Sequence, residues 1–490
     1  MKELQHYING KWKTSTSGNA KDIINPATQE VIAVSSLATR EETAGAVEAA
    51  DRIFTEGSWS DISPQERAVV LHQIAQKLEN HADEIAKLES ANNGKTMREA
   101  LDDTYGSVQT FRYYASLLEV KSEDVMESEG QLQTMTVKEP LGVVSLIVPW
   151  NFPLLMSVWK LAPALAAGNS VVIKPAEITP MTLHRLFELL EETDLPKGVA
   201  SFVMGEGSET GDELATHEKV RMVSFTGSTS VGKAIMKNAA DTMKIVSLEL
   251  GGKSPVLVLE DADIELAVDY SLFGIFMGSG QVCTSGSRLL VDASIYDEFV
   301  ARFTERAKKI RVGPAQDETS EMGAIVSEAH MNHILEYIER GKQEGATLET
   351  GGNRLTNNNL QHGFFLEPTV FSNVTNDMTI AQEEIFGPVV SIIKCNDQEE
   401  AISMANDTIY GLAGAVFSKD HQKAMRVIRK VRAGITWVNT YHLTNEKSPW
   451  GGYKQSGIGR SLGTYGLEEY QETKQINVVL DNEKINWFDA

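Results

Sequence analysis

The run Phe225 to Ala234, FTGSTSVGKA, spaces its glycines and lysine as a nucleotide phosphate loop does. Gly227, Gly232 and Lys233 fit a G-x-x-x-x-G-K pattern, but the place that should carry a magnesium-holding hydroxyl is Ala234. Alanine has no oxygen to give a metal. What remains is backbone chemistry: unpaired amides at the start of a following helix, together with the positive end of its dipole, hold a phosphate without an ion. A dinucleotide pyrophosphate fits such a cradle, and a plain tight turn explains the same glycines.

Other stretches carry reactive side chains. Cys283 lies in GSGQVCTSGSR, where small neighbours let a carbonyl reach the sulfur and a following short helix would favour the thiolate. Its alternative is a buried apolar side chain. Cys395, in SIIKCND, has strand neighbours and reads as packing. Glu249 closes IVSLEL ahead of Gly251 and Gly252, so its carboxylate is either a base aimed into a cleft or a group satisfied by glycine amides. Asn151 in PWNFP is held between Pro149 and Pro153, and a fixed amide donates to a developing oxyanion. In VVIKPAE, Lys174 and Glu177 follow a strand. A carboxylate there binds two ribose hydroxyls and repels a phosphate, which favours NAD over NADP; an exposed surface glutamate is the plainer reading.

These groups need a scaffold. Thr39 to Glu42 and Ser63 to Glu66 are capping boxes, the second with proline at the first helical position. After Ser63 the apolar residues Val70, Ile74, Leu78, Ile85 and Leu88 keep helical spacing. From Leu141 the chain alternates short apolar strands with helical runs: VVSLIV, SVVIKP, SFVMG, VRMVSF, IVSLEL and PVLVLE. That alternation predicts an α/β fold with a parallel sheet covered on both faces, its ligands bound where strands end. A buried helix is predicted from Asp261 through Ile264, Val268, Leu272 and Ile275. QLQTMTVKE, Gln131 to Glu139, and QINVVL, Gln475 to Leu480, read as exposed strands outside this core, suited to pairing with another subunit or to a surface hairpin.

Bulk properties remove several classes of function. The 490 residues exceed one typical core and predict two or three domains. With 45 basic and 68 acidic residues the net charge is −23, which repels nucleic acid and anionic lipid. The opening MKELQHYINGKW has no apolar run, so it is not a secretory signal. The most apolar stretch, Leu141 to Pro175, is broken by Pro149, Pro153, Lys160 and Pro163 and reads as buried sheet and helix, not a membrane span. Two cysteines form no disulfide framework and point to the cytoplasm; no cluster has metal-ligand spacing.

Taken together and in order, PWNFPLLMSVWK, KPAE, FTGSTSVGK, LELGGKSP, GQVCTSGSR, EEIFGPV, NDTIYGLAG and SPWGGYKQSGIGR resemble the aldehyde dehydrogenase superfamily, on its betaine-aldehyde and general aldehyde branch. The resemblance implies a three-part subunit: a Rossmann-type coenzyme domain from 1–120 and 140–251, an α/β catalytic domain at 252–455, and a small bridging β segment from 121–139 and 468–490 used for dimers or tetramers. It implies Cys283 as nucleophile, the Asn151 amide with the cysteine's own N–H as oxyanion hole, and Glu249 as general base. Lys160 matches a lysine that orients groups or transfers protons.

By the same resemblance Lys174 and Glu177 hold the adenosine ribose, and Trp150 and Ser228 the pyrophosphate region. Glu384 and Phe386 touch the nicotinamide ribose and ring, while Gly207, Phe225, Gly227 and Leu250 complete the coenzyme site. The implied reaction is NAD-dependent oxidation of an aldehyde to an acid through a thiohemiacetal and a thioester, with NADP less favoured. A betaine aldehyde dehydrogenase and a coenzyme A-acylating relative are the alternatives. Phe152, Trp159, Tyr113, Tyr441 and Trp450 are candidates for the entrance, either as an aromatic cage for a quaternary ammonium or as an apolar funnel. His330 and His333 depart from what other members carry at a segment expected near the adenine. Outside the family, a P-loop ATPase is disfavoured by Ala234, and an inactive binding protein by the intact Cys283, Glu249 and Asn151.

Overall fold

The computed structural model describes residues 2–120, 124–126, 132–357, 360–480 and 487–488. Its fold is α/β, built on two large sheets. In the first, the strands Ala200–Phe202, Ser170–Lys174, Val143–Ile147, Val220–Thr226 and Ile245–Glu249 are parallel neighbours in that order. Val143–Ile147 and Ser170–Lys174 are buried throughout, as continuous apolar strands covered on both faces must be. The chain moves outward from Val143–Ile147 to one side, then restarts on its other side at Val220–Thr226. That reversal opens a crevice at the carboxyl ends of the two strands.

The second sheet orders Thr347–Thr350, Thr369–Ser372, Val389–Cys395, Arg288–Asp292, Pro255–Val258, Ala413–Phe417 and Ile435–Val438, all parallel except the first. Pro255–Val258 therefore does not extend the first sheet, as the alternation alone suggests. A parallel crossover within one sheet takes about a dozen residues, and the short link after Glu249 is too brief for one. The link instead carries the chain from the carboxyl end of a strand in one sheet to the amino end of a strand in the other.

Both capping boxes form, Thr39 opening Arg40–Thr55 and Ser63 opening Pro64–Asn80. The helical spacing that continues to Leu88 divides at His81 into a second helix, Ala82–Asn93. The helix expected from Asp261 starts later, at Ile264, because Asp263 caps it; Asp261 instead accepts from the Ser418 hydroxyl and the Asp420 amide. A third sheet pairs Gln471–Val479 antiparallel with Leu132–Pro140 over nine residues, and Gln131 lies outside the described residues. Gln471–Val479 is exposed along nearly its whole length. No described helix is long and apolar enough to cross a membrane.

Candidate active site

Between the carboxyl ends of the first sheet and the amino ends of the second lies a cavity of about 1190 Å³. The first sheet contributes Trp150, Asn151, Gly227, Ser228, Glu249 and Leu250 to its wall, and the second contributes Cys283, Glu384 and Phe386. Lys160, Lys174, Glu177, Gly207 and Phe225 lie outside the lining.

The glycine run forms a strand, turn and helix. Thr229–Ala239 is the helix, and the Ser228 side chain caps it by accepting from the Val231 amide. A Cβ at Gly227 would come within 2.5 Å of the Phe225 ring, so Phe225 is a floor beneath the turn. The hydroxyls of Thr226 and Thr229 are buried without a partner among the described residues. Orphaned donors beside a helix start fit an anionic group of a ligand. Lys233 turns outward to Gln455 at 2.7 Å and has no part in the cradle. At the flank, Lys174 Nζ meets Glu177 Oε1 at 2.7 Å, and Gly207 lies beside that carboxylate. Burial opposes the Glu177 charge, but Lys174 outweighs it and holds the carboxyl below its usual range.

No helix follows Cys283; the next element is the strand Arg288–Asp292, so the helix expected to favour the thiolate is absent. The free, half-buried thiol is instead pushed up to about 12, first by loss of water and then by Glu384 and Glu249. It is protonated at rest. Cys395 is buried in a strand, its sulfur 3.8 Å from that of Met404. Asn151 donates Nδ2–H to the carbonyl of Gln281 at 2.8 Å, which ties it to the cysteine's own loop. Asn93 in turn donates to the Trp150 carbonyl at 2.8 Å and fixes the turn.

Glu249 is buried and accepts from the Ser461 hydroxyl at 3.2 Å. Burial pushes its carboxyl up to about 7 against the pull of Lys160. Lys160, fully buried on the helix Pro153–Ala167, donates to Ser224 at 3.0 Å and is lowered by the same loss of water. Glu384 accepts from the Gly252 amide at 2.9 Å, and a Cβ on Gly251 would come within 2.1 Å of its Oε2. Burial raises it to about 7.

Phe152, Trp159 and Trp450 line the cavity, with the two indoles edge to face at 5.3 Å. Tyr441 does not: it is fully buried and donates its hydroxyl to the Thr284 carbonyl at 2.8 Å, bracing the cysteine loop from below. Tyr113 packs on Tyr114 outside the lining. Lys95 Nζ sits 4.5 Å over the Phe152 ring, so a protein cation already takes that face. His330 packs on Trp150 and Phe386 in the cavity wall, which puts it with the nicotinamide-side candidates rather than beside Lys174 and Glu177.

Ser461 is a neighbour of the site that lies in no motif, while Gln281 falls inside the cysteine motif and His330 is expected near the adenine, so their bonds to Asn151 and Phe386 come only with the fold. Ser461 follows the SPWGGYKQSGIGR run, and only its return beside Glu249 through the Gly457–Ile458 strand reveals it. Among the described residues no group of acidic, histidine or cysteine side chains could hold a metal ion.

Residues 12–476 match the model of the aldehyde dehydrogenase family. The chain is 46% identical to betaine aldehyde dehydrogenase of Bacillus subtilis over 489 residues, covering 99% of each. It is 44% identical to human retinal dehydrogenase 2, covering 98% of this chain and 92% of that one. Among solved structures it resembles betaine aldehyde dehydrogenase of Staphylococcus aureus in complex with NAD+, with a TM-score of 0.97, 46% identity and coverage of 99% and 97%. By its length of match, its fold and its cysteine-bearing cavity, the chain belongs to the aldehyde dehydrogenase family.

Proposed function

We propose that this chain oxidises an aldehyde to a carboxylic acid with NAD as hydride acceptor. The observation that carries this reading is a single cavity lined by a free thiol, a buried carboxylate and a glycine cradle with unpartnered hydroxyls. Bound NAD would supply the hydride acceptor; the Ser228 amide beside the side-chain-free Gly227, with Trp150, Leu250 and Phe386, would hold it, and Glu384 and the Lys174–Glu177 pair would meet its riboses. Gly207 leaves room beside Glu177. A phosphate on the adenosine ribose would meet the Glu177 carboxylate, which favours NAD over NADP.

The protein's own steps follow from its charges. The thiol is neutral at rest, so attack needs a base, and Glu249, poised near neutrality, is the group suited to take the proton. The sulfur bonds to the carbonyl carbon, and the displaced π pair becomes an oxyanion facing the Asn151 amide and the Cys283 N–H. Departure of hydride leaves an acyl thioester on Cys283. Glu249 passes the thiol proton to solvent and then takes a proton from water; the water oxygen attacks the acyl carbon, the carbon–sulfur bond breaks to release the acid, and the departing thiolate recovers its proton from Glu249. Lys160 tempers the Glu249 charge without pairing to it.

A retained water-activating carboxylate favours water over coenzyme A as acyl acceptor. The substrate we favour is an apolar aldehyde taken with broad preference, because the ring of Phe152 already faces the Lys95 ammonium. Betaine aldehyde is the second reading, supported by the similarity to betaine aldehyde dehydrogenases. We assign coenzyme binding to 1–120 and 140–251, catalysis to 252–455, and subunit contact to 121–139 and 468–490. The exposed strand Gln471–Val479, with Ile476, Val478 and Val479 at its surface, supports a homodimer or homotetramer. Two free thiols suit the reducing cytoplasm.

Initial rates over a panel of aliphatic, aromatic and quaternary-ammonium aldehydes, each with NAD and NADP, test this reading. It predicts NAD reduction with several apolar aldehydes and none by Cys283→Ala; a Cys283→Ala protein as active as its parent would refute it.

A further inference from the structure

Phe386 has a backbone φ of 58°, a left-handed conformation that a bulky side chain keeps only when its surroundings impose it. Its carbonyl lies 2.7 Å from Nε2 of His330. A carbonyl only accepts, so Nε2 carries the proton and donates. Burial holds this imidazole neutral, lowering it to about 4, so the donor persists across the working pH range. The rings of Trp150, His330 and Phe386 meet edge to face, with centroids 5.1, 5.3 and 6.0 Å apart.

The turn that carries Phe386 has no slack on either side. A Cβ at Gly387 would come within 2.5 Å of Ile334, which shares the helix Glu328–Gln343 with His330. A Cβ at Gly280, three residues before Cys283, would come within 2.1 Å of the Gly387 carbonyl. At the start of the same turn, Glu384 is tied to the Gly252 amide. The turn is thus wedged between the His330 helix and the loop of the nucleophile.

We infer that His330 is a positioning residue: its Nε2–H latches the Phe386 carbonyl and so fixes Phe386 and Glu384 relative to Cys283. The inference rests on reading Phe386 and Glu384 as the nicotinamide-side contacts. Without the latch, Phe386 relaxes toward an ordinary φ and carries its ring and the Glu384 carboxylate away from the coenzyme. Aldehyde capture by Cys283 is left intact, and the losses fall on NAD affinity and on hydride transfer.

The test uses full-length His330→Leu, His330→Asn and His330→Gln, with Glu384→Gln as a separate control. NAD dissociation constants come from tryptophan fluorescence, and the primary isotope effect is read with aldehyde deuterated at the carbonyl carbon. Leu and Asn, which cannot reach the carbonyl with an N–H, are expected to weaken NAD about tenfold, as loss of one buried hydrogen bond does, and to raise the isotope effect. Gln, which can reach it, restores most of both. Should Leu fail to fold, Asn carries the test. Parent-like NAD binding and isotope effects in Leu and Asn overturn the inference, and so does a Gln protein as impaired as Asn. A Glu384→Gln protein that binds NAD as the parent does overturns the coenzyme reading beneath it; a weakened Glu384→Gln beside parent-like His330 variants overturns the latch alone.

Discussion

Two lysine–glutamate pairs flank the carboxyl ends of the first sheet, and they are tuned in opposite directions. At the rim, Lys174 and Glu177 touch at 2.7 Å, and the Glu177 side chain keeps 24% of its exposure. Its carboxyl is held below the usual range and stays charged. In the interior, Lys160 gives its hydrogen bond to Ser224, Glu249 accepts from Ser461, and no ion pair joins the two among the described residues. Glu249 is pushed up to about 7. The residue types are the same; what differs is access to water and whether the pair closes. A closed pair fixes a charge, which suits holding a ligand. An open pair in a dry site leaves a carboxyl near neutrality, which suits taking and returning a proton.

The largest effect should come from removing the interior base. Glu249→Gln keeps the shape and loses the proton acceptor, so steady-state turnover is expected to fall by about 10²–10⁴-fold. Lys160→Met sharpens the contrast by removing the stronger of the two cations, Lys160 and Arg460, that temper Glu249. The sign is set by the shift: the active form of Glu249 is its carboxylate, present above about 7 and lost as pH falls through that value. The acid limb of the pH–rate profile should therefore move upward in Lys160→Met, by about one unit, with about a fivefold loss at pH 7.

At the rim, Glu177→Gln is expected to raise the KM for NAD about tenfold at unchanged kcat and to narrow the preference over NADP, since only ground-state binding is lost. Because the Glu177 carboxyl is depressed rather than raised, the KM ratio of Glu177→Gln to parent should stay constant from pH 8 down to about 5, while kcat declines over the same range. Ser461→Ala should do least, about fivefold in kcat with a small upward move of the acid limb, as expected for one lost hydrogen bond to a carboxylate. Equal responses of Glu177 and Glu249 variants in both KM and kcat would erase the distinction between the two pairs.

Much of this was legible in the chain because strands and caps are local. The apolar runs ending at Ile147, Lys174, Thr226 and Glu249 mark strand ends, and ligands bind at strand ends. Cys283, Glu249, Asn151 and the Gly227 turn all reach the cavity. What failed was long-range. Tyr441 has the composition of a cage residue but is buried beneath the cysteine loop, whose Thr284 carbonyl it meets across 157 residues of sequence. Ser461 and His330 act through single hydrogen bonds across 212 and 56 residues of sequence, with no spacing to announce them. The state of Cys283 escapes local reading for the same reason: burial in the fold pushes the thiol up first, the Glu384 and Glu249 carboxylates that folding brings near push it further, and no helix follows to oppose them.

Intact-mass and peptide analysis of Glu249→Gln, sampled from seconds to hours after mixing with NAD and an aldehyde, tests the central claim most directly. The account predicts an acyl group on the Cys283 peptide that forms with one equivalent of NADH, more slowly than in the parent because the thiol has lost its base, and that is slower still to leave. NADH release with Cys283 unmodified, or an acyl group found on another residue, would contradict it.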